Sequence, residues 1–326
     1  MNRRQLLALG LATVAASALS PLGAYAQGQY PTRPIRLVVP FAPGGVVDAI
    51  GRLWADNVRS SLGTVVVDNR GGAGGTIGSS EVVRSAPDGY TLLLGNTSTK
   101  IINPTVMAKP PYDPAKDFVT VDMVAISVTS IIVHPSTQVT SLKQLINYAR
   151  KNPGKLSYGS AGAGTLTHLA GEMFKKLAGN LDILHVPYKG AGPGIIDLAS
   201  GYIPMMTPNI TAQVLSLHRN KRVRILSVSG PRRLKAAPEI PTSSETVPNM
   251  VAQLFSGLFA PAGTPREIVD RISQATRKSL ADPRFQKVLI ESGFEPVLDS
   301  SPEKAQAFLR QERERLLPLI ESVLKK

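Results

Sequence analysis

Apolar residues in this chain fall into two alternating patterns. Short, mostly apolar runs at residues 35–39, 65–67, 90–94, 156–158, 183–186, 203–207, 223–228 and 254–260 read as buried strands. Between them apolar positions recur three and four residues apart. Val46, Val47, Ile50, Leu53, Trp54 and Val58 make one helical stripe, and Leu166, Leu169, Ala170, Met173, Phe174 and Leu177 make another. Further helices are predicted to run through Val83, over 141–151, to Ala199, between Thr211 and His218, over 283–292, and from Pro302 to near Val323. Thr264, Pro265 and Glu267 match an N-cap, N1 and N3 before one more helix. Residues 118–133 are apolar and β-branched for long enough to form two strands, or one that crosses between domains. Strand–helix alternation over two halves predicts a doubly wound α/β architecture.

Two of the strand-to-helix turns are glycine-rich, and the chain is organised around them. Residues 40–48 read PFAPGGVVD, and residues 158–168 read YGSAGAGTLTH. A helix that starts at such a turn leaves its first N–H groups unpaired and carries partial positive charge, which suits an anion. Each turn taken alone reads first as an ordinary tight βα connection. Asp48 has two readings, receiving a ligand amine or bracing its loop by accepting backbone N–H groups. A third stretch, residues 68–75, gives Gly72, Gly74 and Gly78, but its spacing misses the dinucleotide fingerprint.

Composition narrows the field. A chain of 326 residues with 43% hydrophobic and 18% charged positions can bury a core for two domains. The net charge of +14 is spread out, with small clusters at residues 219–224 and 232–235 and no nucleic-acid-binding motif, so no nucleic acid is expected as partner. The absence of cysteine excludes disulfides, thiolate metal sites and cysteine nucleophiles. The four histidines lack metal-ligand spacing, and no metal or cofactor is expected. A nucleophile elbow fails because Gly159 directly precedes Ser160. A hydrolase working through Ser160 with His168 or His185 stays as the alternative from another class.

Residues 1–26 read as a cleaved export signal. Arg3 and Arg4 precede an apolar stretch that ends in Ala24-Tyr25-Ala26, so the mature chain would start at Gln27 outside the cytoplasm. Arg3-Arg4 also fits a twin-arginine signal; the general secretion route is the alternative.

The motifs taken in order resemble a known family. They are PFAPGGVVD (40–48), VVVDNRGGAGGTIG (65–78), APDGYTLLLGN (86–96), YGSAGAGTLTHLAGEMF (158–174), HVPYKG (185–190) and FAPAGTP (259–265). Together they are similar to the solute-binding receptors of tripartite tricarboxylate transporters, the Bug family. The resemblance implies a type II periplasmic binding protein: two α/β lobes that close over a ligand cleft, lobe one from residues 27–126 and 228–326, lobe two from 127–227. It also implies a small organic carboxylate as ligand, membrane transporter subunits as partners, and action as a monomer without catalysis. A signalling receptor is the other partner such a fold would serve.

Carried over by position, Phe41, Ala42, Gly44, Gly45 and Asp48 would form one side of the site, and Ser160, Ala161, Gly164, Thr165 and His168 the other. Asn96, Ser98, Tyr188 and Asn209 would line the remainder. The Thr165 hydroxyl is expected to donate to a ligand carboxylate. The chain departs from the family near Pro204, at Thr207-Pro208, near Phe255 and at Gly71, which leaves the identity of the acid open.

Overall fold

In the computed structural model, residues 30–324 are described; the expected export signal, residues 1–26, lies outside them. Two mixed sheets carry the chain from residue 33 onward. The first has the order β11-β4-β10-β3-β1-β2 and the second β7-β6-β8-β5-β9. In the first sheet β1 (Ile35–Val39) pairs in parallel with β2 (Val65–Asn69) and β3 (Thr91–Asn96). Next to β3 runs β10 (Gln253–Pro261), antiparallel to it and to the long β4 (Phe118–Val128). A two-residue strand, β11 (Glu295–Pro296), closes that edge and had no sequence signal of its own.

Helix α1 (Val46–Asn57) lays Val46, Val47, Ile50 and Trp54 on the first sheet. Trp54 is fully buried, and its indole N–H donates to Thr276 Oγ1 at 3.1 Å, so the one polar atom of this large side chain is satisfied inside the core. Helix α2 (Thr76–Val83) follows β2. After β10, helix α3 (Arg266–Leu280) begins one residue later than Thr264 as N-cap would require. Pro265 takes the cap position, because the Thr264 hydroxyl donates back to Pro261 O at 2.8 Å.

In the second sheet β6 (Leu156–Ser160) pairs in parallel with β7 (Ile183–Pro187) and with β8. β8 is only Met205–Met206, shorter than the predicted run. β5 (Ser130–Val133) lies antiparallel to β8 and to β9 (Arg224–Val228). Ile132, Ile195, Leu198, Met206, Ile210, Val214 and Val228 belong to one buried cluster of this lobe.

The chain passes between the sheets at two adjacent places. Only Thr129 separates β4 from β5, and residues 229–252 lead from β9 back to β10. The crossings are bonded to each other: Thr129 N–H donates to Ala252 O at 3.1 Å, Ser229 N–H to Thr129 O at 2.7 Å, and Ala252 N–H to Ser229 O at 2.8 Å. The long C-terminal helix α4 (Pro302–Leu324) packs on β4 and reaches the Leu166–Leu177 helix of the second lobe.

Candidate functional site

β1 delivers the first glycine loop to the edge of the first sheet. Gly44 adopts φ +85°, a conformation open to glycine, and an added Cβ would lie 3.4 Å from Gly192 Cα of the other lobe. Gly45 is the N-cap of α1 and offers no side-chain cap, so the first-turn N–H groups of Val46 and Val47 have no cap from the helix's own N-cap side chain. Asp48 braces its loop, the second of its two readings. Its carboxylate accepts from Gly44 N at 3.0 Å and Asn69 Nδ2 at 3.0 Å, and pairs with Arg52 at 2.9 Å. Burial works against its ionisation, but the Arg52, Gly44 and Asn69 hydrogen bonds outweigh it and hold the carboxyl below its ordinary range.

β6 delivers the second loop, and hydroxyls of its own helix hold it. That helix runs over Leu166–Leu177, with Thr165 as N-cap. Thr165 Oγ1 donates to Gly162 O at 2.7 Å and accepts the His168 N–H at 3.3 Å. Thr167 Oγ1 accepts the Ala161 N–H at 2.8 Å and shares a 2.8 Å contact with Thr165 Oγ1. The expectation that Thr165 keeps its hydroxyl for a ligand therefore changes: here the hydroxyl is bonded within its own loop.

The lobes meet over these loops. Leu166 N–H, the first of its helix, donates to Ser98 Oγ of the opposite lobe at 3.0 Å, and Ala42 N–H donates to Lys189 O at 3.1 Å. About 20 Å³ is left between them, room for little more than a water molecule. The cleft is thus shut, and anything larger enters only when the lobes part. Phe41, Gly45, Asn96, Ser98, Ala161, Thr165 and Asn209 line this cavity, as do Val46, Val47, Thr167, Ala191 and Leu254.

Of the other residues named from sequence, Ala42 and Gly44 lie at the seam between lobes. Gly164 adopts φ +73°, and an added Cβ would come 2.1 Å from Asn103 Oδ1 of the facing lobe. Tyr188 donates to Asp197 at 2.7 Å, and its hydroxyl is pushed up to about 12 by burial and by that carboxylate. Thr167 was within reach of sequence reasoning, since it is a hydroxyl in the first turn of the glycine-loop helix. Leu254 was not: it enters from β10, far along the chain, with no local signal.

Asn96 is the most pointed member of the site. It is 1% exposed, and its Oδ1 accepts the Thr99 N–H at 3.1 Å, which fixes the orientation of the amide. The Nδ2 donor left over has no partner. A buried donor without an acceptor is uncommon in folded proteins and asks for one.

Ser160 and His168 sit behind the second loop in an imidazole cluster. Ser160 Oγ lies 2.7 Å from His185 Nε2, and the His185 ring stacks on His168 at 4.1 Å and Tyr158 at 4.9 Å. Gly164 N–H donates to His168 Nδ1 at 3.3 Å. Burial and the neighbouring His168 push His185 down to about 4, and burial lowers His168 as well. The serine–histidine contact that a hydrolase would need is therefore present, yet Ser160 is 0% exposed and lines no part of the cavity. No grouping of residues suited to a metal lies among the described residues, nor any helix long and apolar enough to cross a membrane.

Known proteins resemble this chain over nearly its whole length. The family described as "Tripartite tricarboxylate transporter family receptor" matches residues 50–324. A UPF0065 protein of Pseudomonas sp. (strain P51) is 38% identical over 98% of this chain and 94% of its own. Protein BugT of Bordetella pertussis is 33% identical over 97% and 96%. Among solved structures, one described as a periplasmic transporter is 36% identical with TM-score 0.87, covering 91% of this chain and 99% of its own. A Rhodopseudomonas palustris protein solved with adipate is 34% identical with TM-score 0.86, covering 90% and 98%. MatC from Rhodopseudomonas palustris, solved with bound malate, is 27% identical with TM-score 0.84, covering 90% and 100%. The fold is that of the periplasmic binding proteins, two α/β lobes with the cleft between them.

Proposed function

The chain belongs to the tripartite tricarboxylate transporter receptor family, and from that premise we propose that it captures a small organic carboxylate in the cleft and presents it to membrane transporter subunits. The observation that carries this reading is the convergence of donors on one cavity. The first turn of α1 brings its positive end and the N–H groups of Val46 and Val47, and Asn96 brings its unpartnered Nδ2. All of them suit an acceptor, and the relatives solved with adipate and malate hold acids.

Phe41, Ala42, Gly44 and Gly45 on one side and Ala161, Gly164 and Thr165 on the other shape the clamp, with Asn96, Ser98, Tyr188 and Asn209 around it. Asp48, Ser160 and His168 hold the loops from behind. Lobe one comprises residues 33–128 and 253–324 and lobe two 130–228, with Thr129 and residues 229–252 passing between them. The protein works in the periplasm as a monomer, after cleavage before Gln27, and it binds rather than transforms its ligand.

A thermal-shift screen of mono-, di- and tricarboxylates against the purified mature chain tests the reading, because a ligand that binds only the folded state raises its apparent stability. At least one acid should raise the melting temperature, and the amide of that acid should not. Equal stabilisation by the acid and its uncharged amide would overturn the carboxylate assignment. Mass spectrometry of periplasmic material should find an N-terminus at Gln27.

A further inference from the structure

Directly after β3 the chain makes one π-helical turn, Ser98–Ile102, a geometry found often at functional sites. Ser98 lines the cleft. Lys100, two residues on, lines a different groove, on lobe one against the C-terminal helix. Lys100 is 5% exposed. Its Nζ donates to Pro114 O at 2.8 Å and stands 3.9 Å from the Phe118 ring centroid and 4.3 Å from that of Phe259. An ammonium has three donors, and one carbonyl takes one of them. Among the described residues no carboxylate forms an ion pair with Lys100; Asp113 and Asp117 act on it only from farther away. Burial accordingly drives this ammonium down to about 7. A buried cation without a paired anion is costly to keep.

The groove beside it measures about 90 Å³. Arg310 and Arg313 of α4 lie on its lining with Lys100, and no acidic residue does. Neither arginine forms an ion pair among the described residues, although the Asp113 carboxylate acts from a distance on Arg313 as it does on Lys100, so three basic side chains border one space. Ile101, Phe118 and Leu309 give the same space an apolar wall. Two guanidinium groups, and a buried amine that a bound anion would keep protonated, call for an oxyanion, the apolar wall calls for hydrocarbon, and a space of about 90 Å³ suits a short chain. We propose that this groove is a second ligand site, separate from the cleft, that takes a short aliphatic carboxylate with its oxygens on Lys100, Arg310 and Arg313.

The test is a titration of the isotope-labelled mature chain with butyrate, followed by backbone amide resonances. Resonances of residues 100–120 and 306–313 should shift with a dissociation constant of about 1 mM or tighter, whether or not those of the cleft residues 41–48 and 161–168 move. Lys100→Met keeps the buried stem and removes the charge; it should abolish the groove shifts and leave any cleft shifts in place. If that variant does not fold, the paired surface change Arg310→Gln with Arg313→Gln, on exposed positions of α4, should weaken the groove shifts at least about tenfold, the value of one charge-assisted hydrogen bond. Shifts confined to the cleft, or groove shifts that survive these substitutions, would overturn the proposal. Inorganic phosphate that moves the same resonances as strongly as butyrate would overturn the choice of a carboxylate, because the apolar wall would then contribute nothing.

Discussion

Ser98 Oγ accepts the N–H of Leu166 at 3.0 Å, and the two residues belong to different lobes. Leu166 is the first residue of its helix, so its N–H has no partner inside that helix. When the lobes are together, a side chain of one serves as an added cap for the other. The bond bridges the lobes and so helps to hold the cleft shut.

Ser98→Ala should weaken ligand retention more than ligand encounter. One neutral hydrogen bond contributes about 0.5–1.5 kcal/mol, so ligand should leave roughly twofold to tenfold faster while the association rate stays within about twofold. Stopped-flow displacement measures both rates. An unchanged dissociation rate would mean that the contact contributes nothing to closure.

Thr165→Val should lower the stability of the ligand-free protein. The hydroxyl caps its own helix and ties the loop at Gly162, and loss of such a cap costs about 1 kcal/mol. For a chain of this size the melting temperature should fall by about 1–2 °C. A variant as stable as the parent but weaker in binding would show instead that this hydroxyl serves the ligand directly.

Asn96→Asp keeps the oxygen that accepts from Thr99 N–H and exchanges the free donor for a second acceptor. With a carboxylate ligand the affinity should fall at least about tenfold, since a hydrogen bond to a charged group is lost and a like charge is gained. Calorimetric titration with the acid found in the screen reads this. Affinity equal to the parent's would separate Asn96 from the ligand.

Acid should destabilise the protein before its carboxylates titrate. His185 is held at about 4 in the folded chain against 6.5 when unperturbed, and His168 is lowered too. Between those pH values the unfolded chain binds protons that the folded chain does not, so stability rises with pH across the window and is lost as pH falls toward 4. Glu172 and Lys175, with the Tyr158 ring, complete the surroundings of the pair. His185→Gln should reduce the slope of melting temperature against pH between about 4 and 6.5. A slope unchanged in that variant would assign the acid sensitivity to other groups.

Much of this architecture was legible along the chain because its signals are local. A run such as residues 35–39, a stripe such as Val46 to Trp54 and a glycine turn between them can be read without knowing what they touch. The π-helical turn at Ser98–Ile102 could not be read, since it follows from how Asn96 and Thr99 bond to each other at the end of β3. The role of Thr165 misled for a related reason. Sequence shows a hydroxyl at a helix start, but only the folded loop shows that Gly162 O already takes its proton. Ser160 and His185 are separated by a whole βα unit, and their contact depends on the parallel pairing of β6 with β7.

The crossings between the sheets have a mechanical consequence. Because Thr129, Ser229 and Ala252 are bonded to one another, the two connections form a single flat strap rather than two independent tethers. A strap of that kind resists sliding and torsion and yields to bending. Bending at the strap changes the angle between the lobes, as a door turns on its frame. A membrane partner that rests on both lobes need sense only that angle to distinguish a loaded receptor from an unloaded one, whatever acid lies inside.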